Sequence, residues 1–298
     1  MKIGYPCINW SIFRSETSTF RLASFSEGRL IKTINSNLVH LSKILNYNVG
    51  NHLLFFRISS DLIPFASHPI CKYNWLNHFK SEFKEIGDYI IRNNMRISMH
   101  PDQFVIINST KEKVTQSSIR ELQYHCDILD AMCLDQSAKI QIHVGGAYGE
   151  KTSAINTFIK RYDAFLSESI KERLVIENDD HLFNLDDCMI IHQQTNIPIV
   201  FDNFHHECFG DGMSLGDSIK KSNSTWKKAK DGPPIIDYSS QQLGERKGKH
   251  ADTIDGSLFE KFVLTIKNFD ADIMLEIKDK EKSALKAFEI IKTCSNPY

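Results

Sequence analysis

The strongest constraint on the fold is an alternation. Short runs rich in β-branched and aromatic residues recur eight times, each followed by a stretch with helical periodicity. The runs cover residues 2–7, 53–58, 97–99, 139–144, 174–176, 197–201, 234–238 and 272–277. The stretches after them predict helices over 29–47, 75–92, 114–133, 153–167, 185–194, 215–222, 258–268 and 282–292. The first places Leu30, Ile34, Leu38, Leu41 and Leu45 on one face, and Asn184 is placed to cap the fifth. Eight β–α pairs in 298 residues predict a single-domain α/β fold over 1–298, a (β/α)8 TIM barrel with its site at the C-terminal strand ends. An open doubly wound sheet would call for a glycine-rich loop after the first strand, where this chain reads Tyr5-Pro6-Cys7-Ile8-Asn9-Trp10.

The strand ends carry the chemistry. His68 follows the second run, His100 ends the third and His143 the fourth. Glu177 ends the fifth, and Asp202 the sixth with His205 three residues on. Asp237 lies in the seventh, His250 in the loop after it, and Glu276 in the eighth. One such residue is more often a hydrogen-bonded structural group than a ligand. Nine converging on one barrel face would cost several kcal/mol each if buried unpaired, on the order of isolated buried charges. Divalent cations resolve that cost. Imidazole mixed with carboxylate suits zinc, manganese or iron(II), and nine donors exceed the needs of one ion, so two or three ions are expected. Such a cluster serves either phosphodiester hydrolysis or aldose–ketose isomerisation, and the five histidines favour hydrolysis. His40, His52, His78, His125 and His192 read as structural, with His181 and His206 undecided.

Around this mouth the sequence offers Tyr5, Asn9, Arg57, Gln103, Phe104, Tyr148 and Lys151. Basic residues cluster late: five lysines between Lys220 and Lys230, then Arg246, Lys247 and Lys249, then Lys278, Lys280 and Lys282. In barrel-top loops these would form a phosphate-binding rim, beside which aromatic and amide side chains can stack on bases. The formal net charge is only −1, so any nucleic-acid contact must rest on such a local stripe. Seven dispersed cysteines without a C-x-x-C pair argue for free thiols in a reducing compartment. No apolar run approaches the roughly 20 residues that cross a bilayer. The expectation is a cytoplasmic monomer with no membrane association and no protein partner.

These residues carry a resemblance. Ile3 to Cys7, Leu62 to Pro69, Ser98 to Pro101, His143 to Lys151, Glu177 to Asp179, Asp202 to His206 and Glu276 to Lys278 together resemble the UV damage endonucleases, of the endonuclease IV-like barrel superfamily. The resemblance implies a cluster of up to three metal ions, commonly Mn(2+), with Zn(2+), Co(2+) or Mg(2+) as alternatives. It implies damaged double-stranded DNA as partner, and incision immediately 5′ to UV photoproducts leaving 3′-hydroxyl and 5′-phosphate. It makes His68, His100, His143, Glu177, Asp202, His205, His250 and Glu276 metal ligands, with Asp237 aligned where some relatives carry His. Glu177, Glu276 and His143 are the candidate catalytic residues. Gln103 and Phe104 become the pair that probes the duplex, with Tyr5 and Asn9 near the damaged strand and Arg57, Tyr148, Lys151 and Lys278 as further DNA contacts. Where some relatives carry a lysine close to the metals, this chain has Ile235. An abasic-site endonuclease, a sugar isomerase and a non-catalytic damage binder are the alternatives.

Overall fold

The computed structural model describes residues 1–12 and 17–295. Eight parallel strands pair in sequence order and close, β1 against β8, into a barrel. They are β1 (Ile3–Pro6), β2 (Phe55–Ile58), β3 (Arg96–Met99), β4 (Lys139–His143), β5 (Leu174–Glu177), β6 (Ile199–Asp202), β7 (Ile235–Tyr238) and β8 (Asp272–Leu275). The helices are α1 (Glu27–Gly50), α2 (Trp75–His78), α3 (Lys80–Arg92), α4 (Glu112–Ala131), α5 (Lys151–Phe165), α6 (Glu168–Arg173), α7 (Leu185–Thr195), α8 (Asn203–Phe209), α9 (Leu215–Asn223), α10 (Lys228–Asp231), α11 (Gly256–Ile266) and α12 (Glu281–Ser295).

The expected eightfold alternation is therefore the observed one. Asn184 caps α7 in a reciprocal box with Asp187, as its position predicts. Two differences have local causes. The single helix expected over 75–92 is split at Phe79, which is buried and caps both pieces. The sequence reading had no helix directly after β6, yet Asp202 ends the strand and caps α8, accepting a hydrogen bond from His205 N at 2.7 Å.

Strand geometry sorts the lumen into layers, because successive side chains point to opposite faces. Phe55, Val175, Val200, Ile235 and Met274 pack together with Trp226 as an apolar layer. Below it, towards the N-terminal strand ends, is a buried ionic layer. Arg96 donates to Asp272 Oδ2 at 3.1 Å and to the Asp231 and Pro233 carbonyls. Lys139 donates to Asp231 Oδ1 at 2.6 Å and to the Glu172 carbonyl at 3.0 Å. Above the apolar layer, two residues further along the same strands, come Arg57, Gln141, Glu177, Asp202, Asp237 and Glu276. Gly4 is required where β1 meets β2, since a Cβ there would lie 2.3 Å from the Phe55 carbonyl oxygen.

Burial pulls the Lys139 ammonium down to about 8, against the opposing pull of Asp231. Removing the carboxylate strands that ammonium in the core. Asp231→Ala should cost about 3–5 kcal/mol in urea unfolding, and adding Lys139→Met should recover most of the loss. A double variant no more stable than the single one would contradict this role.

Candidate metal centre and nucleic-acid face

The upper lumen layer gathers eight of the nine expected ligands. His100, His143 and Glu177 offer donor atoms within 4.8 Å of one another. So do Glu177, Asp202 and His205, and so do Asp202, Asp237 and Glu276. The three groups form a chain, with Glu177 and Asp202 each shared. His250 joins at the rim: its ring lies 5.9 Å from that of His205. His143 lies between His100 and His205, at centroid distances of 5.4 and 5.8 Å.

The histidine tautomers follow from their partners. Nδ1 of His100 faces the Pro101 carbonyl at 2.8 Å, that of His205 the Asn178 carbonyl at 3.0 Å, and that of His250 the Glu276 carbonyl at 2.8 Å. A carbonyl only accepts, so in each ring Nδ1 carries a proton, and Nε2 is the nitrogen left to take a metal ion once any proton on it is lost. Backbone anchoring of the far nitrogen is the usual support of a metal-ligating imidazole. Three donor atoms, His143 Nδ1, Asp202 Oδ2 and Asp237 Oδ1, are buried with no hydrogen-bond partner in the protein. Buried polar atoms rarely stand unpaired. The donor set, its anchoring and its vacant lone pairs thus fit divalent cations.

The acids titrate apart. Burial pushes Asp202 well above the ordinary range, and the charges of Glu177, Glu276 and Asp237 add to it. Burial and the charges of Glu276 and Glu177 raise Asp237 to about 7, although Arg57 opposes them. Burial also opposes ionisation of Glu276, but Arg57 holds it down at about 2. Glu177 is held well below its usual value against burial by His143, His100 and His205. Burial disfavours a charged His205, yet Asp202, Glu177 and Glu276 lift it to about 12. A metal ion would displace that proton.

Two polar residues organise the carboxylates. Arg57, 3% exposed, donates to Asp237 Oδ2 at 2.7 Å, to Gln141 Oε1 at 2.9 Å and to Glu276 Oε1. Gln141 donates to Asp237 Oδ2 at 2.7 Å and to Glu177 Oε2. Gln141 was not among the expected site residues. Its signal was parity: Lys139, Gln141 and His143 alternate along β4, so a buried glutamine two residues before a strand-end histidine shares its side of the sheet.

Several expectations need correction. His68 stands outside the three groups; it is exposed, and its Nδ1 accepts from Ile70 N at 3.1 Å. Tyr5 and Asn9 are not DNA-facing, since both are 0% exposed. The Tyr5 hydroxyl donates to Asn48 Oδ1 at 2.6 Å and accepts from Asn9 Nδ2 at 2.7 Å, while Asn9 Oδ1 holds Ser11 N and Ile12 N. The pair braces the loop after β1. Arg57 is a lumen residue, not a surface contact. Lys151 bonds Asp187 Oδ2 at 2.8 Å. The lysines of 227–230 precede β7 and so lie at the opposite end of the barrel, where Lys228 pairs with Asp270. His125 is structural, buried and bonded to the Glu121 carbonyl and Ser60 Oγ, and burial lowers it to about 4. His206 faces the Met213 carbonyl, and the exposed His181 pairs with Asp180.

Gln103, Phe104, Tyr148 and Lys278, expected to face DNA, lie in loops at the C-terminal end of the barrel. Phe104 is 74% exposed beside an exposed Gln103, in the loop that starts at His100. Both line an open cleft of about 570 Å³ whose walls also include His100, His143, Glu276 and Lys278. Tyr148 is 49% exposed, and Lys278 lies on the far rim, where it donates to Asp252 Oδ1 as Lys151 does to Asp187.

The UV-endonuclease UvdE family matches residues 1–296. The chain belongs to that family. A UV DNA damage endonuclease of Clostridium perfringens is 41% identical over 98% of this chain and 71% of its own length. One of Bacillus cereus is 33% identical over 97% and 94%. The crystal structure of SacUVDE superposes with a TM-score of 0.94 at 45% identity, covering 99% of both chains. A D-psicose 3-epimerase from Clostridium cellulolyticum shares the barrel alone, with a TM-score of 0.58 at 10% identity over 98% of both chains. Among the described residues no disulfide joins the cysteines, and no helix is long and apolar enough to cross a membrane.

If Gln141 positions Glu177 and Asp237, Gln141→Leu should weaken divalent-metal affinity about 10- to 100-fold. Chelator competition with Mn(2+) measures it, and unchanged affinity would remove Gln141 from the site.

Proposed function

We propose that this protein is a metal-dependent endonuclease that cuts the DNA strand immediately 5′ to UV photoproducts, leaving 3′-hydroxyl and 5′-phosphate. Family membership over nearly the whole chain supports the substrate class. The observation that carries the chemistry is the chain of donor groups at the strand ends, floored by Arg57 and Gln141 and overhung by Gln103 and Phe104. Two or three divalent ions, manganese by preference, would be held among His100, His143, Glu177, Asp202 and His205, with Asp237, His250 and Glu276 beside them. His68 could join only by turning in from the surface. Bound ions would supply an activated water and stabilise the charge that develops on the phosphate oxygens.

The chain's own residues then have separate tasks. Glu177 would hold the ions together with the imidazoles of His100, His143 and His205, while Arg57 keeps Glu276 beside them. Arg57 and Gln141 fix the carboxylates so that little reorganisation is left for the reaction. Lys278 and Lys280 flank the cleft and offset backbone phosphate charge. Gln103 and Phe104 sit four residues or fewer from His100, so the loop ties the probing side chains to the cutting site. A damaged pair stacks poorly and costs less to open, so a wedge at this position reads distortion instead of sequence.

A duplex carrying one cyclobutane dimer, incubated with enzyme and Mn(2+), should yield a single cut on the 5′ side of the lesion. No cutting with any divalent metal would sink this reading, and cutting only at an abasic site would favour the abasic-site endonuclease on the same barrel. Glu177→Gln should abolish cutting while damaged duplex is still bound.

Phe104→Ala should lower discrimination between damaged and intact duplex by about 1–3 kcal/mol, roughly 5- to 150-fold. Titration of both duplexes by fluorescence anisotropy measures it, and an equal loss on the two would contradict the role.

A further inference from the structure

The three donor groups are not equivalent. His100–His143–Glu177 and Glu177–Asp202–His205 mix imidazole with carboxylate, and the charge beside Asp202, the acid that links onward, is that of His205, whose proton a metal ion would displace. The third, Asp202–Asp237–Glu276, is all carboxylate, and two of its three members are already held by one guanidinium. Arg57 reaches Asp237 through Nη2 and Glu276 through Nη1, and it is 3% exposed, so water does not screen it. Arginine does not deprotonate in proteins, so this charge is permanent. Free lone pairs remain on Asp202 Oδ2 and Asp237 Oδ1. The third group does not lack donors; what sets it apart is the guanidinium charge already against it.

The charge count points the same way. The layer holds four carboxylates, Glu177, Asp202, Asp237 and Glu276, and one guanidinium. With acids ionised and imidazoles neutral it carries three negative charges. Two divalent ions bring it to one positive charge, which a single phosphodiester cancels. Three ions would leave three positive charges in a largely buried site, a state that one phosphodiester cannot balance.

We propose that Arg57 stands in for a third cation at the Asp202–Asp237–Glu276 group, so that this chain takes two divalent ions, one on each imidazole-containing group. The inference rests on the metal-binding part of the function proposed above, and not on cleavage. Arg57 is then a positioning residue whose charge sets metal count and keeps Asp237 and Glu276 in place before metal arrives.

Counting tests it. The full chain is equilibrated with Mn(2+), dialysed, and its metal content measured by inductively coupled plasma mass spectrometry, without DNA. Wild type should hold two ions per chain, Arg57→Lys two, and Arg57→Met three. The melting temperature should also rise more on Mn(2+) addition for Arg57→Met than for wild type, because four uncompensated acids depend more on the ions. A merely structural brace would lower stability without raising the count. Wild type with three ions, or Arg57→Met with two or fewer, overturns the proposal. If Arg57→Met fails to fold even in metal, Arg57→Gln, which keeps a donor without the charge, takes its place under the same criteria. A wild type that holds no divalent ion would defeat the metal reading itself. Two ions with no cut at a photoproduct would defeat the nuclease reading and leave this inference standing.

Discussion

Four carboxylates buried at one end of a barrel repel one another, and the organisation of the site follows from how that repulsion is met. Asp202 and Asp237 are driven towards their protonated forms, whereas Glu177 and Glu276 stay ionised beside imidazoles and a guanidinium. Such a layer is stable only with compensating positive charge. Arg57 supplies a permanent part of it and a protonated His205 another, and cations bound by the remaining lone pairs would replace the proton on His205.

The barrel can hold this layer because of what lies beneath it. Phe55, Val175, Val200, Ile235 and Met274 form an apolar floor, and a second buried ionic network, of Arg96, Lys139, Asp231 and Asp272, lies on its other side. The floor keeps the two networks from sharing partners, so each closes on itself. Ile235 acquires its meaning here. It is a floor residue two positions before Asp237, which in turn is committed to Arg57 and Gln141. Isoleucine has no donor to offer the layer above, so positive charge on that side of the lumen rests with Arg57.

The eightfold alternation made the fold legible, and strand-end position made most of the clustered imidazoles and carboxylates legible, because in a parallel barrel every strand ends at the same face. Legibility failed where a side chain's direction depends on neighbours far along the chain. Tyr5 lies near the C-terminal end of β1 and Asn9 in the loop after it, but Asn48, at the end of α1, draws the Tyr5 hydroxyl inwards. The lysines of 227–230 looked like a rim in a one-dimensional reading, yet α9 and the turn after it carry them to the other end of the barrel before β7 begins. Gln141 and Arg57 were open to a parity argument, since each sits on a strand position facing the lumen. Their role as organisers depends on contacts 36 to 219 residues distant in sequence, which periodicity does not report.

The same barrel in a D-psicose 3-epimerase shows how little the fold decides about chemistry. A free sugar is small, and an enzyme that rearranges it gains by enclosing it and excluding water. This chain does the reverse at its mouth. Phe104 stands 74% exposed on the lip of an open cleft, a cost in exposed apolar surface that a buried sugar would not require. A ring held out from a rigid rim, a few residues from His100 in the carboxylate–imidazole layer, suits a substrate too large to enclose, one that must be gripped at its backbone and tested by stacking. The metal layer alone would leave isomerisation open. The exposed aromatic above it is what favours a polymer, and its short tether to His100 would let a phosphodiester site of the kind proposed choose where to cut.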